Sequence, residues 1–243
     1  MNAVQQRPTQ YVAVKSVPFR VVAGWCAILS APLALACLYL FLQAMAFDAT
    51  ALSDPSGVVA LGASAAPALY WSMICDLFGY YLLLTPLTLY FWQGLRAQAP
   101  RWVDLATLGG LGYIFVGAIG AAILAVTVPP LLEAHATLSN QEQSASALLI
   151  GTLLRLVQDG LWGLEGPLAG TWWLVTGWLL HRERPLLGVV TMVLGAAMWV
   201  SYGGALLELD DLAGLGLLVY LVGAPLWALW SGVSILRRGM AGA

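Results

Sequence analysis

Apolar residues run through this chain in six long blocks, each closed by a short polar turn. The blocks extend from about Val21 to Phe47, Tyr70 to Leu95, Val103 to Val128, Ala147 to Leu180, Pro185 to Leu207 and Leu212 to Leu236. Each is long enough to cross a hydrocarbon core, which takes about 20 apolar residues in helix. The pattern predicts an all-α, polytopic membrane protein with six transmembrane helices in one domain, residues 20–238. Residues 1–19 read as an irregular polar tail and 239–243 as a short C-terminal one. The first apolar block is far longer than the ~7–15 residues of a signal-peptide core, so no cleaved leader is expected.

Breaker residues refine the blocks. Asp54, Pro55, Ser56 and Gly57 carry turn chemistry. The stretch GVVALGASAAPAL after them, rich in small residues, predicts an ordered loop or a short interfacial helix. Pro86 predicts a kink in the second helix. Pro129–Pro130 predicts the end of the third. That helix carries Gly109, Gly110, Gly112, Gly117 and Gly120, a smooth surface suited to close packing.

Composition agrees. The 243 residues are 60% hydrophobic and 9% charged, with a mean hydropathy of +0.83. Soluble domains carry about 25% charged residues. The net charge of −2 and the lack of a basic run give no sign of nucleic acid as a partner. Cys26, Cys37 and Cys75 lie in apolar blocks and form no CxxC, so they read as small buried side chains.

Charge placement sets an expected orientation. Nine of the ten basic residues (Arg7, Lys15, Arg20, Arg96, Arg101, Arg182, Arg184, Arg237 and Arg238) fall on one side of a six-span topology. The other loops hold only acids: Asp48, Asp54, Glu133, Glu142, Glu208, Asp210 and Asp211. The positive-inside rule then puts both termini in the cytoplasm. The tenth basic residue, Arg155, is the exception.

Arg155 lies in the fourth block together with Gln158, Asp159, Trp162 and Glu165. On one continuous helix these five share an arc of roughly 120°. Counting about 20 residues back from the inner helix ends puts the outer boundary near Leu161 and near Asp76. The set Asp76, Arg155, Gln158, Asp159, Trp162 and Glu165 therefore predicts an outward-facing vestibule for a small polar or amphiphilic ligand, such as a lipid headgroup. Arg155 is expected to pair with Asp159, one turn away, or with Asp76. A snorkelling pair that only marks where the helix leaves the membrane is the plainer alternative. Glu165 precedes Gly166-Pro167, where the backbone ladder loses a bond. It would hold a cation or a proton there, or hydrogen-bond as an acid to a neighbouring helix.

A direct repeat also shows in the spacing. Asp76 and Asp159 are 83 residues apart, and Pro100 and Pro185 are 85 apart. Helices two and three then read as a hairpin repeated in four and five. Among the tryptophans, Trp25, Trp92, Trp102 and Trp178 fall toward the inner face and Trp71 and Trp162 toward the outer, as belt residues. Trp172 and Trp173 sit deeper and are expected against lipid, with a cavity lining as the alternative.

Three stretches resemble a group of bacterial six-helix membrane proteins known as a domain of unknown function. They are Arg20-Val-Val-Ala-Gly24, Asp76-Leu-Phe-Gly-Tyr80 and Leu154-Arg155-Leu156-Val157-Gln158. The resemblance implies the same six-helix architecture and a multi-pass protein of the bacterial inner membrane. It brings no activity with it.

Chemistry-bearing motifs are few. His135 and His181 fall on opposite sides of the membrane, which argues against a bis-His haem or a His-rich zinc centre. GxSxG, HExxH and P-loop motifs are absent from the sequence, so no catalytic residue, metal or cofactor is expected, although carboxylate-only chemistry stays open. Three functions compete: a ligand-binding membrane protein, an accessory subunit whose Gly-rich third helix packs on a membrane-protein partner or a second copy, and a proton- or cation-coupled carrier using Glu165.

Overall fold

The computed structural model describes residues 18–47 and 55–240. The expected tail 1–17, the turn residues Asp48 and Asp54, and residues 241–243 lie outside the described residues.

The described chain is helical, with no strand, and six of its helical segments are long and apolar enough to cross a membrane: Phe19–Ala44, Ala63–Leu95, Pro100–His135, Asn140–His181, Pro185–Leu206 and Asp210–Arg237. We number the α-helices α1 (Phe19–Ala44), α2 (Pro55–Ala60), α3 (Ala66–Asp76), α4 (Thr85–Leu95), α5 (Pro100–His135), α6 (Asn140–Arg155), α7 (Glu165–His181), α8 (Pro185–Leu206) and α9 (Asp210–Met240). The second span joins α3 to α4, and the fourth joins α6 to α7. The spans close into a ring in chain order: α1 packs on α3, α3 on α5, α5 on α7, α7 on α8, α8 on α9, and α9 back on α1.

Glycines let these helices approach closely. The Gly24 carbonyl of α1 sits 2.6 Å from where a Cβ on Gly232 of α9 would stand. Gly177 of α7 and Gly188 of α8 are in the same relation through the Gly188 carbonyl, at 2.7 Å. A side chain at either place would push two backbones apart, and in lipid such packing holds helices together.

Where helix limits differ from expectation, packing explains it. α5 does not stop at Pro129–Pro130 but continues to His135. Two backbone bonds are lost there, yet Val128, Pro129 and Leu132 are buried. Val128 and Leu132 belong to a second core cluster with Met45, Val58, Met73, Ile150 and Leu154, and that burial keeps the last turns helical. α6 begins at Asn140, seven residues before the expected Ala147, because Glu142 closes back on Ser139. The Ser139 amide and hydroxyl donate to Glu142 Oε2 at 2.9 and 2.6 Å. The Ser-x-x-Glu spacing that announces such a start stands in the sequence. α1 ends at Ala44 rather than Phe47, since Ala46 and Phe47 adopt left-handed backbone (φ 50° and 61°). The expected loop before the second span contains α2 and a 3₁₀ turn, Ala63–Ala65, that leads directly into α3.

Neither the second nor the fourth span is a continuous α-helix. After α3 comes a π-helical turn, Leu77–Tyr81, then a 3₁₀ turn, Leu82–Leu84, then α4 with Pro86 in its first turn. After α6 come a π-helical turn, Leu156–Leu161, a 3₁₀ turn, Trp162–Leu164, and α7 with Pro167 in its first turn. The hairpin repeat thus has a backbone counterpart. Its register is corrected, however: the two 3₁₀ turns are 80 residues apart, not 83. Asp76 precedes its π turn, whereas Asp159 lies inside the other.

Candidate functional site

The two π turns decide which polar residues face the centre of the ring. A π turn takes an extra residue, so everything beyond it rotates relative to an ideal helix. The six residues expected to form one vestibule accordingly divide. Arg155, the last residue of α6, is exposed, as is Asp159, and Gln158 is half-buried. Trp162 is half-buried, its indole N–H donating to the Gly117 carbonyl at 3.4 Å. Asp76 and Glu165 are buried, with 7% and 4% of their surface exposed.

Arg155 pairs with neither Asp159 nor Asp76; an ion pair does form between Arg96 and Asp104, 3.2 Å, at the other end of the bundle. Asp76 points inward and Asp159 outward, so the expected triad has no shared face. Arg155 is instead an exposed residue where α6 meets its π turn, and the snorkelling alternative, which needs the same pair with Asp159, is not formed either.

Around the buried carboxyls stands a set of residues that helix periodicity did not single out. Tyr81, in the first π turn, donates its hydroxyl to Glu165 Oε1 at 2.8 Å, which ties the second span to the fourth. Its ring lies against Gly117 of α5, where no Cβ would fit. Tyr113 of α5 donates to the carbonyl of Tyr80 at 2.8 Å. A phenol has one proton, so the 2.8 Å bond between Tyr113 and Tyr220 runs from the Tyr220 hydroxyl to Tyr113. Tyr80 donates to the Leu221 carbonyl of α9 at 2.6 Å. Four spans are thereby joined by phenolic hydroxyls in the bundle interior.

Asp76 belongs to a neighbouring contact. The Cys37 thiol of α1 donates to Asp76 Oδ1 at 3.8 Å, while Oδ2 is buried without a hydrogen-bond partner. Ser72, one turn earlier on α3, donates to the Cys37 carbonyl at 3.2 Å. Cys37 is thus buried as expected, whereas Cys26 and Cys75 are only half-buried, and Cys37 is the group that meets Asp76.

Toward the basic end the interior is aromatic. Trp172 and Trp173 are 1% and 0% exposed. Their rings stack on each other at 5.3 Å and meet Tyr113, Tyr220 and Trp227 within 6.1 Å. This corrects the expectation that the pair packs on lipid: ring closure turns that face of α7 inward. Trp25, Trp71, Trp102 and Trp178 are exposed, as belt residues are. Beyond the aromatic layer lies a void of about 10 Å³, lined by Thr88, Thr107, Thr176, Phe91 and Trp172 among others. That is about the size of one water.

The glycine surface of α5 is filled from within the chain. Gly109 and Gly112 meet Leu168, Gly110 meets Trp172, Gly117 meets Tyr81 and Gly120 meets Trp162. Gly166 and Gly170 of α7 seat Tyr202 and Trp199 of α8. Among the described residues no three His, Cys, Asp or Glu side chains gather as a metal-ligand set.

No family model, no curated protein and no solved structure matches this chain.

Proposed function

We propose that this is a proton-coupled membrane carrier, in which Glu165 and Asp76 take up and release the coupling proton. The observation that carries the reading is a pair of carboxyls buried inside a six-helix ring, neither paired with a Lys, Arg or His among the described residues. An unpaired charge in such surroundings is costly, and ionisable groups at that depth mark proton and ion pathways more often than architecture. Each carboxyl meets one weak or neutral donor, Cys37 or Tyr81. A proton is the cation that each can accept without further ligands.

The backbone supports coupling. Both carboxyls adjoin π and 3₁₀ turns, the places where a helix bends at low cost because its ladder is already interrupted. The Tyr81–Glu165 bond links the two interrupted spans. Losing or gaining a proton at Glu165 changes what that bond is worth, and so biases how the spans meet. The solute is a small molecule of unassigned class. In this reading the arginine-rich end is cytoplasmic, and the bundle sits in a cell membrane.

The test is infrared difference spectroscopy and flux on the full chain in liposomes. Wild type should show a protonated-carboxyl band that disappears between acidic and alkaline buffer, and Glu165→Gln should lose part of it. Liposomes holding a pH-sensitive dye should report solute-dependent proton movement for wild type and none for Glu165→Gln. A band insensitive to pH, with no proton movement across a broad solute panel, sinks the proposal.

A second reading rests on a different observation. Arg155 and Asp159, with Gln158 half-buried between them, stand at the acidic end where α6 meets the π turn. They suit recognition of a polar headgroup from outside, and equilibrium binding without flux would favour that reading.

A further inference from the structure

The two buried carboxyls differ in what surrounds them. Glu165 meets a single phenol, Tyr81. Asp76 stands among further oxygens. Ser72 lies four residues earlier on α3, so the two side chains share one face of that helix. The Cys37 carbonyl of α1 is 3.2 Å from the Ser72 hydroxyl. The Cys37 thiol is 3.7 Å from Ser72 Oγ and 3.8 Å from Asp76 Oδ1, and so stands between them. All three residues are buried.

A glycine brings the main chain of α1 this close. A Cβ on Gly79, in the first π turn, would collide with the backbone of Ala34. The two spans therefore touch backbone to backbone within a turn of Asp76 on one side and of Cys37 on the other.

The donor set is oxygen-rich: both oxygens of Asp76, Ser72 Oγ and the Cys37 carbonyl. Oxygens of this kind suit hard cations. A hydroxyl keeps two lone pairs while it donates its proton, and a thiol is a weak donor that gives way easily. Asp76 Oδ2 is buried with no hydrogen-bond partner. Cys37, Cys75, Tyr80, Tyr81, Tyr113 and Glu165 lie within electrostatic reach of Asp76, and none of them carries a positive charge. One carboxylate then matches one positive charge. A divalent ion would leave a charge uncompensated in the interior, which is costly.

Position points the same way. Asp76 is the last residue of α3, where the helical ladder is interrupted. The C-terminal end of a helix favours a cation, and interrupted membrane helices hold coupling cations at such ends. Asp76 also lies in the half of its span nearer the acidic end, where Glu133, Glu142, Glu208, Asp210 and Asp211 are exposed. Charge of one sign around an entrance concentrates the opposite ion.

Building on Asp76 as a proton-exchanging group, we propose that Asp76, Ser72 and the Cys37 carbonyl form a binding site for sodium, which enters as the Asp76 proton leaves to water. One positive charge replaces another, so the site stays neutral.

The experiment follows thermal unfolding of the full chain in neutral detergent while sodium chloride, choline chloride or calcium chloride is added at constant ionic strength. A ligand that binds the folded state raises the midpoint with concentration. In alkaline buffer sodium should raise it saturably, and choline and calcium should not. In acidic buffer the sodium shift should vanish, because the proton holds the carboxyl. Asp76→Asn should abolish the shift. Ser72→Ala should weaken the apparent affinity about tenfold, the loss of one polar contact to a charged group. Asp104→Asn, at the basic end, should keep wild-type affinity. Should Asp76→Asn not fold, Ser72→Ala decides. An equal shift with choline, a larger one with calcium, a sodium shift that survives Asp76→Asn, or wild-type affinity in Ser72→Ala overturns the proposal. Proton movement in liposomes with no sodium response removes the sodium site and leaves the carrier reading standing. A saturable sodium response without proton movement does the reverse.

Discussion

Tyr81 and Glu165, 84 residues apart in sequence, meet through a 2.8 Å hydrogen bond in the interior of the ring. The bond is made possible by a glycine. Gly117 leaves room for the Tyr81 ring to cross the face of α5 and reach α7. Removing the hydroxyl leaves Glu165 without that donor. Tyr81→Phe should therefore destabilise the chain by about 1–3 kcal/mol, the usual cost of orphaning a buried polar group. Thermal unfolding in detergent measures it. Glu165→Gln keeps an acceptor for Tyr81 and should cost less, while removing proton exchange. A chain in which both variants unfold identically to wild type would show that this bond holds nothing together.

Gly117→Ala should be among the most damaging single changes in the membrane region. The added methyl meets the Tyr81 ring, which is buried and has nowhere to move. Overpacking of this kind costs about 1–3 kcal/mol, and here it also displaces the donor from Glu165. Gly94→Ala is the control, because nothing lies within 4 Å of the new methyl. In a helix that change should be neutral or stabilising by up to ~1 kcal/mol.

Arg155→Ala should shift stability by no more than ~0.5 kcal/mol, as exposed surface changes usually do. A double-mutant cycle between Arg155 and Asp159 should give coupling near zero, and Asp76→Arg should not rescue Arg155→Asp. Coupling above about 1 kcal/mol would mean that the two charges do meet in the membrane.

Trp173→Ala should cost about 3–5 kcal/mol, the range for emptying a buried aromatic site, because Trp173 touches Tyr113, Trp172, Tyr220 and Trp227 at once. Trp25→Ala, at an exposed belt position, should cost far less. Comparing unfolding midpoints of the two variants checks this; similar losses would argue that the aromatic layer is loosely packed.

Orientation can be tested directly. Single cysteines placed at 142 and 211 should react with an impermeant reagent added outside intact cells. At 98 and 183 they should react only after the membrane is opened. The reverse pattern would place the arginine-rich end outside.

Some of this protein is determined by sequence alone. Six apolar blocks yield six spanning helices because a bilayer offers the backbone no hydrogen-bond partner but itself. Arg20, Arg96, Arg101, Arg182, Arg184 and Arg237 sort to one end, with Arg155 the exception, and the tryptophans at positions 25, 71, 102 and 178 stand at the surface, for reasons a single helix and its solvent already contain. Glu165 is legible as one of the few ionisable residues of its block, and the hairpin repeat is legible in the spacing of Pro100 and Pro185. Tertiary structure decided the rest. A periodic reading assumes 100° per residue, so it could not foresee that the π turn of the fourth span would turn Glu165 inward and leave Arg155 and Asp159 outside. Pro129–Pro130 reads as a stop because local propensity is all one segment shows, yet burial of Val128 and Leu132 carries the helix onward. Tyr81, Tyr113 and Tyr220 gave no local signal at all, and Cys37 only that of a buried side chain. Their role depends on which helices become neighbours, and that is set by the fit of glycine surfaces to large side chains on other spans.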